Sequence, residues 1–213
     1  MTSGRRPESL LFYRGVRLLF RVLAAPLFAF RVEGAENVPI DGAGVVVAPH
    51  RSWIDPACVG GGCPRPVRFL IMDSVYRLRW ANWFFRGMRG VPVRSGGSAS
   101  LPALRAGMRL LRDGHLVGVF PEGRVRPEGR LGPVRAGAAL LAVRGRAPVI
   151  PVVIRGSSRA WPHGRRWPGP ARVSVRFGAP LMPPAPDRPG AVDELMTRIA
   201  RALHDLDGLT DAS

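Results

Sequence analysis

A histidine and an aspartate stand five positions apart in His50-Arg51-Ser52-Trp53-Ile54-Asp55, directly after an apolar run. Such a pair can perform general-base chemistry. A carboxylate that reaches one imidazole nitrogen holds a single tautomer, and it stabilises the imidazolium formed when the other nitrogen takes a proton from a hydroxyl. No metal is needed for this step. Spacing alone is weak evidence, because four histidines and fifteen acids in 213 residues supply about 0.3 such pairs by chance. Asp55 followed by Pro56 also reads as a helix N-cap with proline at the first helical position. A second candidate, Phe120-Pro121-Glu122-Gly123, is rarer, expected about 0.01 times in a chain of this composition. Its plain alternative is a Pro-Glu-Gly turn.

Both candidates follow strand-like runs. Residues 44–48 stop at Pro49, just before the histidine, and residues 116–120 lead into the second motif. Further strands are expected at 67–71, 91–93, 149–154 and 173–177, with helices at 56–61, 75–88, 101–112, 134–144 and 191–206. This alternation predicts an α/β fold, a mixed and partly parallel sheet covered by helices. In such folds the ligand crevice opens at the carboxyl ends of the strands, where His50 would lie. The Gly-, Pro- and Arg-rich stretch 156–170 and the run 182–189 read as surface loops.

Residues 10–32 are the most apolar of the chain, yet Arg14, Arg17 and Arg21 interrupt them. Spacings of three and four put the arginines on one helical face, with Leu11, Leu18, Phe20 and Leu23 over the rest of the circumference. The longest uncharged run, 22–30, is about half of the roughly 20 residues that a spanning helix needs, and it contains Pro26. A transmembrane span is therefore not expected, and no small-residue cleavage site marks a removable signal peptide. The segment reads as an amphipathic interfacial helix over 1–32, its arginines among lipid phosphates, ahead of a catalytic domain at 33–213. An ordinary core-covering helix is the alternative. Residues 76–86 interleave aromatics with arginines, which suits either a membrane interface or core aromatics beside a solvated basic face.

The formal net charge is +17, carried entirely by arginine. Acids gather towards the C-terminus, at Asp187, Asp193, Glu194, Asp205, Asp207 and Asp211, whereas Asp73 is the only acid between Pro56 and Arg112. Such a field attracts polyanions, and nucleic acid, anionic lipid and phosphorylated substrates all qualify. Cys58 and Cys63 have no second pair to complete a zinc site and read as free thiols of a reducing compartment.

Taken in order, the motifs resemble those of the 1-acylglycerol-3-phosphate acyltransferase (lysophosphatidic acid acyltransferase) family of glycerolipid acyltransferases. His50 to Asp55 is similar to the family's first element, Gly90-Val91-Pro92-Val93-Arg94 to its second, Phe120 to Gly123 to its third, and Val149-Ile150-Pro151-Val152-Val153 to its final strand. The resemblance implies a glycerolipid acyltransferase-like fold. It further implies that His50 acts as general base, oriented by Asp55, on the free hydroxyl of a lysophospholipid, most naturally 1-acyl-sn-glycerol 3-phosphate giving phosphatidic acid. The acyl donor would be an acyl-CoA or acyl-carrier-protein thioester, with no cofactor and no metal. Arg94 would bind the acceptor phosphate, Glu122 and Gly123 would shape the acceptor site, and Arg124, Arg126 and Pro151 would line it. Arg124 and Arg126 flank the position where the family carries an arginine, and Met72 stands where glycerophospholipid members commonly carry a lysine. A different acceptor, such as a lyso-aminolipid, is therefore the first alternative. The implied location is peripheral, on an anionic surface at the cytoplasmic face of a bacterial plasma membrane. A nucleic-acid-binding protein is the rival class, on charge and Trp-Arg interleaving alone, and it leaves the His and Glu motifs unexplained.

Overall fold

The short apolar runs become β1 (Arg31–Glu33), β2 (Gly44–Val47), β3 (Val67–Met72), β4 (Val91–Val93), β5 (Leu116–Val119), β6 (Val149–Arg155) and β7 (Ser174–Phe177). The computed structural model describes residues 7–208, apart from 80, 81, 89, 94–99, 123–135 and 163. The strands form one seven-stranded sheet in the order β1-β7-β6-β2-β5-β3-β4. β6, β2, β5, β3 and β4 run parallel, and β7 pairs antiparallel with β6 and carries β1 beside it. Every residue of β2 is buried, as expected for a central strand with helices on both faces. In the ladder Val47 stands opposite Val119 of β5 and Pro151 of β6, so β2 and β5 end level with one another while β6 runs on to Arg155.

The helices are α1 (Pro7–Phe28), α2 (Asp55–Gly62), α3 (Asp73–Tyr76), α4 (Asn82–Gly87), α5 (Leu101–Arg112), α6 (Gly137–Gly145), α7 (Ser157–Ala160) and α8 (Ala191–Gly208). They divide the core in two. On one face Cys58 and Val59 of α2 and its C-cap Cys63, with Phe28 of α1, pack against Val46, Phe69, Val152, Val175 and Phe177. On the other, Leu110 and Leu111 of α5, Leu141 of α6 and Leu195, Ile199 and Leu203 of α8 cover Val45, Val47, Val117, Val119 and Val153. The period-four spacing of Leu195, Ile199 and Leu203 is what gives α8 a single apolar stripe. Ser100 caps α5 by accepting the Ala103 N–H, with Pro102 in the first turn.

The expected helix over 75–88 is two short helices, α3 and α4, and the expected loop 156–170 contains α7. The N-terminal helix differs more. It stops at Phe28, and Arg31 and Val32 belong to β1, where they pair with Ser174 and Val175. Its arginines were expected among lipid phosphates, but two of them turn inward. Arg17 donates to the carbonyls of Gly61 and Pro64, Arg21 to that of Gly61 at 3.0 Å, and the buried Tyr13 hydroxyl to that of Gly60 at 3.1 Å. The physical reason is the C-terminus of α2, whose last carbonyls have no intrahelical partners and sit at the negative end of the helix dipole. Beside the exposed Arg14 and Arg21, α1 shows apolar side chains to solvent: Leu11, Leu18, Leu19 and Val22 are 57–68% exposed.

Close contact between α1 and α2 depends on glycine. A Cβ on Gly61 would overlap the ring of Phe20, which is itself held edge-on by Phe30 at 5.4 Å. Overpacking of this kind typically costs about 1–3 kcal/mol. Gly61→Val should therefore lower the unfolding free energy by about that amount, shift the denaturation midpoint down accordingly, and expose α1 to limited proteolysis. An unchanged midpoint with α1 still protected would show that Phe20 yields freely.

The two cysteines are core residues, Cys58 in α2 and Cys63 capping its C-terminus. Burial pushes the Cys63 thiol up to about 11, and burial followed by the neighbouring Asp55 charge pushes Cys58 up as well. Raised thiols are scarcely ionised near neutrality, with a thiolate fraction of about one in a thousand at pH 8 for a group near 11. Ellman's reagent at pH 8 should thus find no fast-reacting thiol in the folded protein and both in guanidinium. Rapid labelling of the native state would place one of them outside the core.

Candidate active site

Ala48 and Pro49 end the central strand in buried positions and deliver His50 to the carboxyl edge of the sheet. The next five residues fold back on themselves around one carboxylate. Oδ2 of Asp55 lies 3.1 Å from His50 Nδ1 and accepts the backbone N–H groups of Arg51 and Ser52, each at 2.6 Å. Asp55 has no exposed surface. It is the first residue of α2 and not its N-cap, a place taken by Ile54 without a side-chain bond, so the carboxylate points back into the loop. The positive end of α2 favours a negative charge at that position.

The hydrogen-bond inventory then assigns the imidazole. An ionised carboxylate only accepts, and the two amides only donate. With Asp55 as acceptor, His50 Nδ1 carries the proton and donates it, which leaves a lone pair on Nε2. The ring is also fixed in plane. Phe120, the first residue beyond β5, stacks on the imidazole with centroids 4.2 Å apart and planes 21° apart, and Phe69 of β3 backs Phe120 at 5.5 Å. A pre-oriented imidazole with a lone pair on one nitrogen can take a proton from a bound hydroxyl.

Other candidates reach the same edge. Pro121 and Glu122 follow Phe120 in buried positions, Glu122 being 4% exposed. Pro151 is buried in β6 opposite Val47. Arg94, Gly123, Arg124 and Arg126 lie outside the described residues, although β4 ends at Val93 on this same side of the sheet. Among the described residues no group of three or more His, Cys, Asp or Glu side chains could hold a metal ion.

Two supports of the loop carry no local signal in the sequence. Arg51 forks onto Asp207 of α8, 156 residues away, with contacts of 2.5 and 3.3 Å. Ser52 Oγ donates to the Trp161 carbonyl at 3.0 Å. The stacking role of Phe120 was equally hidden, since the motif drew attention to Glu122. In the aromatic segment, Tyr76 stacks with Phe85 at 6.2 Å, while Trp83 is 63% exposed and meets Phe12 of α1 edge-on at 6.2 Å. One half of that segment packs and the other faces out.

Comparison with known proteins agrees with this geometry. The acyltransferase family model matches residues 29–155, from just before β1 to the end of β6. A 1-acyl-sn-glycerol-3-phosphate acyltransferase of Bacillus subtilis (strain 168) is 26% identical over 184 residues, 82% of this chain and 88% of that protein. The chloroplastic 1-acyl-sn-glycerol-3-phosphate acyltransferase BAT2 of Brassica napus is 28% identical over 141 residues, 65% of this chain, which spans only 41% of that longer protein. Among solved structures, the 1-acyl-sn-glycerophosphate (LPA) acyltransferase PlsC from Thermotoga maritima superposes with a TM-score of 0.77 at 24% identity, over 97% of this chain and 85% of that one. At that identity the last likeness speaks for the fold.

Proposed function

The chain belongs to the acyltransferase family and is an enzyme of that class, and from this premise we propose that it moves a fatty acyl group from a thioester to the free hydroxyl of 1-acyl-sn-glycerol 3-phosphate, giving phosphatidic acid. The observation that carries the chemical step is the buried Asp55 carboxylate on His50 Nδ1. His50 Nε2 takes the proton of the acceptor hydroxyl as its oxygen attacks the thioester carbonyl. The new C–O bond forms, the C–S bond breaks, and the imidazolium returns the proton to the leaving thiolate. Asp55 holds the ring and stabilises the charged form during the transfer. General-base assistance of this kind is typically worth about 10² to 10⁴ in rate, and positioning supplies much of the rest.

Arg94 is assigned to the acceptor phosphate, where a guanidinium can make a forked, charge-assisted pairing. Glu122, Gly123, Arg124, Arg126 and Pro151 are assigned to the acceptor site around it. Support comes from the level ends of β2 and β5, with Pro151 of β6 opposite Val47 and β4 ending on the same side. The donor is an acyl-CoA or an acyl-carrier-protein thioester. The second reading, a lyso-aminolipid or another lysolipid, keeps the chemistry and rests on Met72, 42% exposed at the end of β3.

The enzyme is assigned to the surface of a bacterial membrane, on its cytoplasmic face. Among the described residues no helix is long and apolar enough to cross a membrane. The exposed stripe Leu11, Leu18, Leu19 and Val22, with Trp83 beside α1, supports insertion of an apolar face to headgroup depth.

Incubation of the purified protein with acyl-CoA or acyl-carrier protein and a panel of lysolipids, read by mass spectrometry, tests class and acceptor together. His50→Ala should abolish transfer and Asp55→Asn should impair it severely, whereas near wild-type turnover of His50→Ala would remove the general-base assignment. Arg94→Ala should raise the KM of a phosphate-bearing acceptor far more than that of the thioester. An unchanged acceptor dependence would return Arg94 to the solvated surface. For the membrane, a variant with Leu11, Leu18 and Val22 changed to Ser should fail to float with anionic liposomes at either low or high salt. Flotation equal to the wild type would leave α1 as a core-covering helix.

A further inference from the structure

Asp207 stands in the last turn of α8, at the negative end of the helix dipole, where a carboxylate is disfavoured. Two arginines offset this. Arg51 contacts it through both terminal nitrogens, and Arg155, the last residue of β6, places Nε 3.5 Å from Oδ1. All three side chains are largely shielded, with exposures of 13% for Arg51, 24% for Asp207 and 27% for Arg155, so solvent screens the cluster only partly. The helix that carries Asp207 is fixed by Leu195, Ile199 and Leu203, all at 0% exposure.

The main chain of Arg51 belongs to the catalytic loop. Its N–H donates to Asp55 Oδ2 at 2.6 Å, and so does that of Ser52. A guanidinium fork fixes its parent side chain in both distance and plane, which a point charge does not. Anchoring Arg51 to α8 therefore restrains the two amides that hold the carboxylate, and through it the imidazole. We propose that Asp207 is a positioning residue for the transfer reaction: through Arg51 it ties the C-terminal helix to the loop that aims Asp55 at His50. This rests on the His50 and Asp55 reading above.

The prediction is separable from simple loss of fold. With acyl-CoA and 1-acyl-sn-glycerol 3-phosphate as substrates, Asp207→Asn should lower kcat about ten- to a hundred-fold while KM for both substrates stays nearly unchanged. Arg51→Lys, which keeps the charge and loses the fork, should fall between it and the wild type. Because Asp207 acts through Asp55, the double variant Asp55→Asn with Asp207→Asn should be no slower than Asp55→Asn alone. A substrate-free readout runs beside these: the His50 Nδ1 proton should exchange with water faster in Asp207→Asn, by about ten-fold or more. Unchanged kcat and proton exchange, a rise in KM alone, or additive losses in the double variant would overturn the proposal. If Asp207→Asn does not fold, Arg51→Lys decides by the same readouts. A dead His50→Ala enzyme beside a fully active Asp207→Asn enzyme would refute the latch alone, whereas an active His50→Ala enzyme would refute the dyad beneath it.

Discussion

The site depends on one carboxylate that has been taken out of water. Asp55 has no exposed surface, and the effective penalty for burying such an ion is of the order of several kcal/mol. That penalty is offset by converging donors: two backbone amides and an imidazole N–H, all on Oδ2. The loop of residues 50–55 takes its shape from this requirement, because only a chain doubled back on itself can bring the amides of Arg51 and Ser52 to one oxygen. Once the loop has that shape, the His50 ring has one orientation and one tautomer. Phe120 then closes the remaining freedom by stacking on it.

The same short helix serves both ends of the molecule. α2 has eight residues, about 12 Å at the usual rise, with Asp55 at its positive end and Gly60 and Gly61 near its negative end. At the first end it supplies a carboxylate, and at the second it receives Tyr13, Arg17 and Arg21 of α1. At the first end the carboxylate gathers the amides of the preceding loop, and at the second the side chains of α1 satisfy carbonyls left over by the helix. In consequence the apolar stripe of α1 is held at a set position relative to the base, through a rigid and buried element.

Much of this was legible in the sequence, for reasons that are local. The runs at 44–48, 67–71, 91–93, 116–120, 149–154 and 173–177 are β-rich and bounded by turn residues, and each lies on an observed strand, β2 to β7. β1 was missed because three residues carry no period, and it was absorbed into the helix before it. The inward bonds of Arg17 and Arg21 were not legible for a different reason. Spacings of three and four show that Arg14, Arg17 and Arg21 share a side but not which side turns inward, since apolar residues fill the remainder of the circumference. The unpaired carbonyls of Gly60, Gly61 and Pro64 decide it, and these become neighbours only after folding. Asp207 and the Trp161 carbonyl were illegible in the same way, at separations of 156 and 109 residues from their partners.

The claim on which the rest stands is that Asp55 leaves His50 with a proton on Nδ1 and a bare Nε2. The ¹⁵N chemical shifts of the imidazoles report this directly, with His50 assigned by its disappearance in His50→Gln among four histidines. In the neutral form the account predicts a protonated Nδ1 and an unprotonated Nε2, and it predicts that Asp55→Asn loses this bias. A neutral His50 with its proton on Nε2 would contradict it, because the nitrogen not engaged by Asp55 would then have no lone pair with which to take the acceptor's proton.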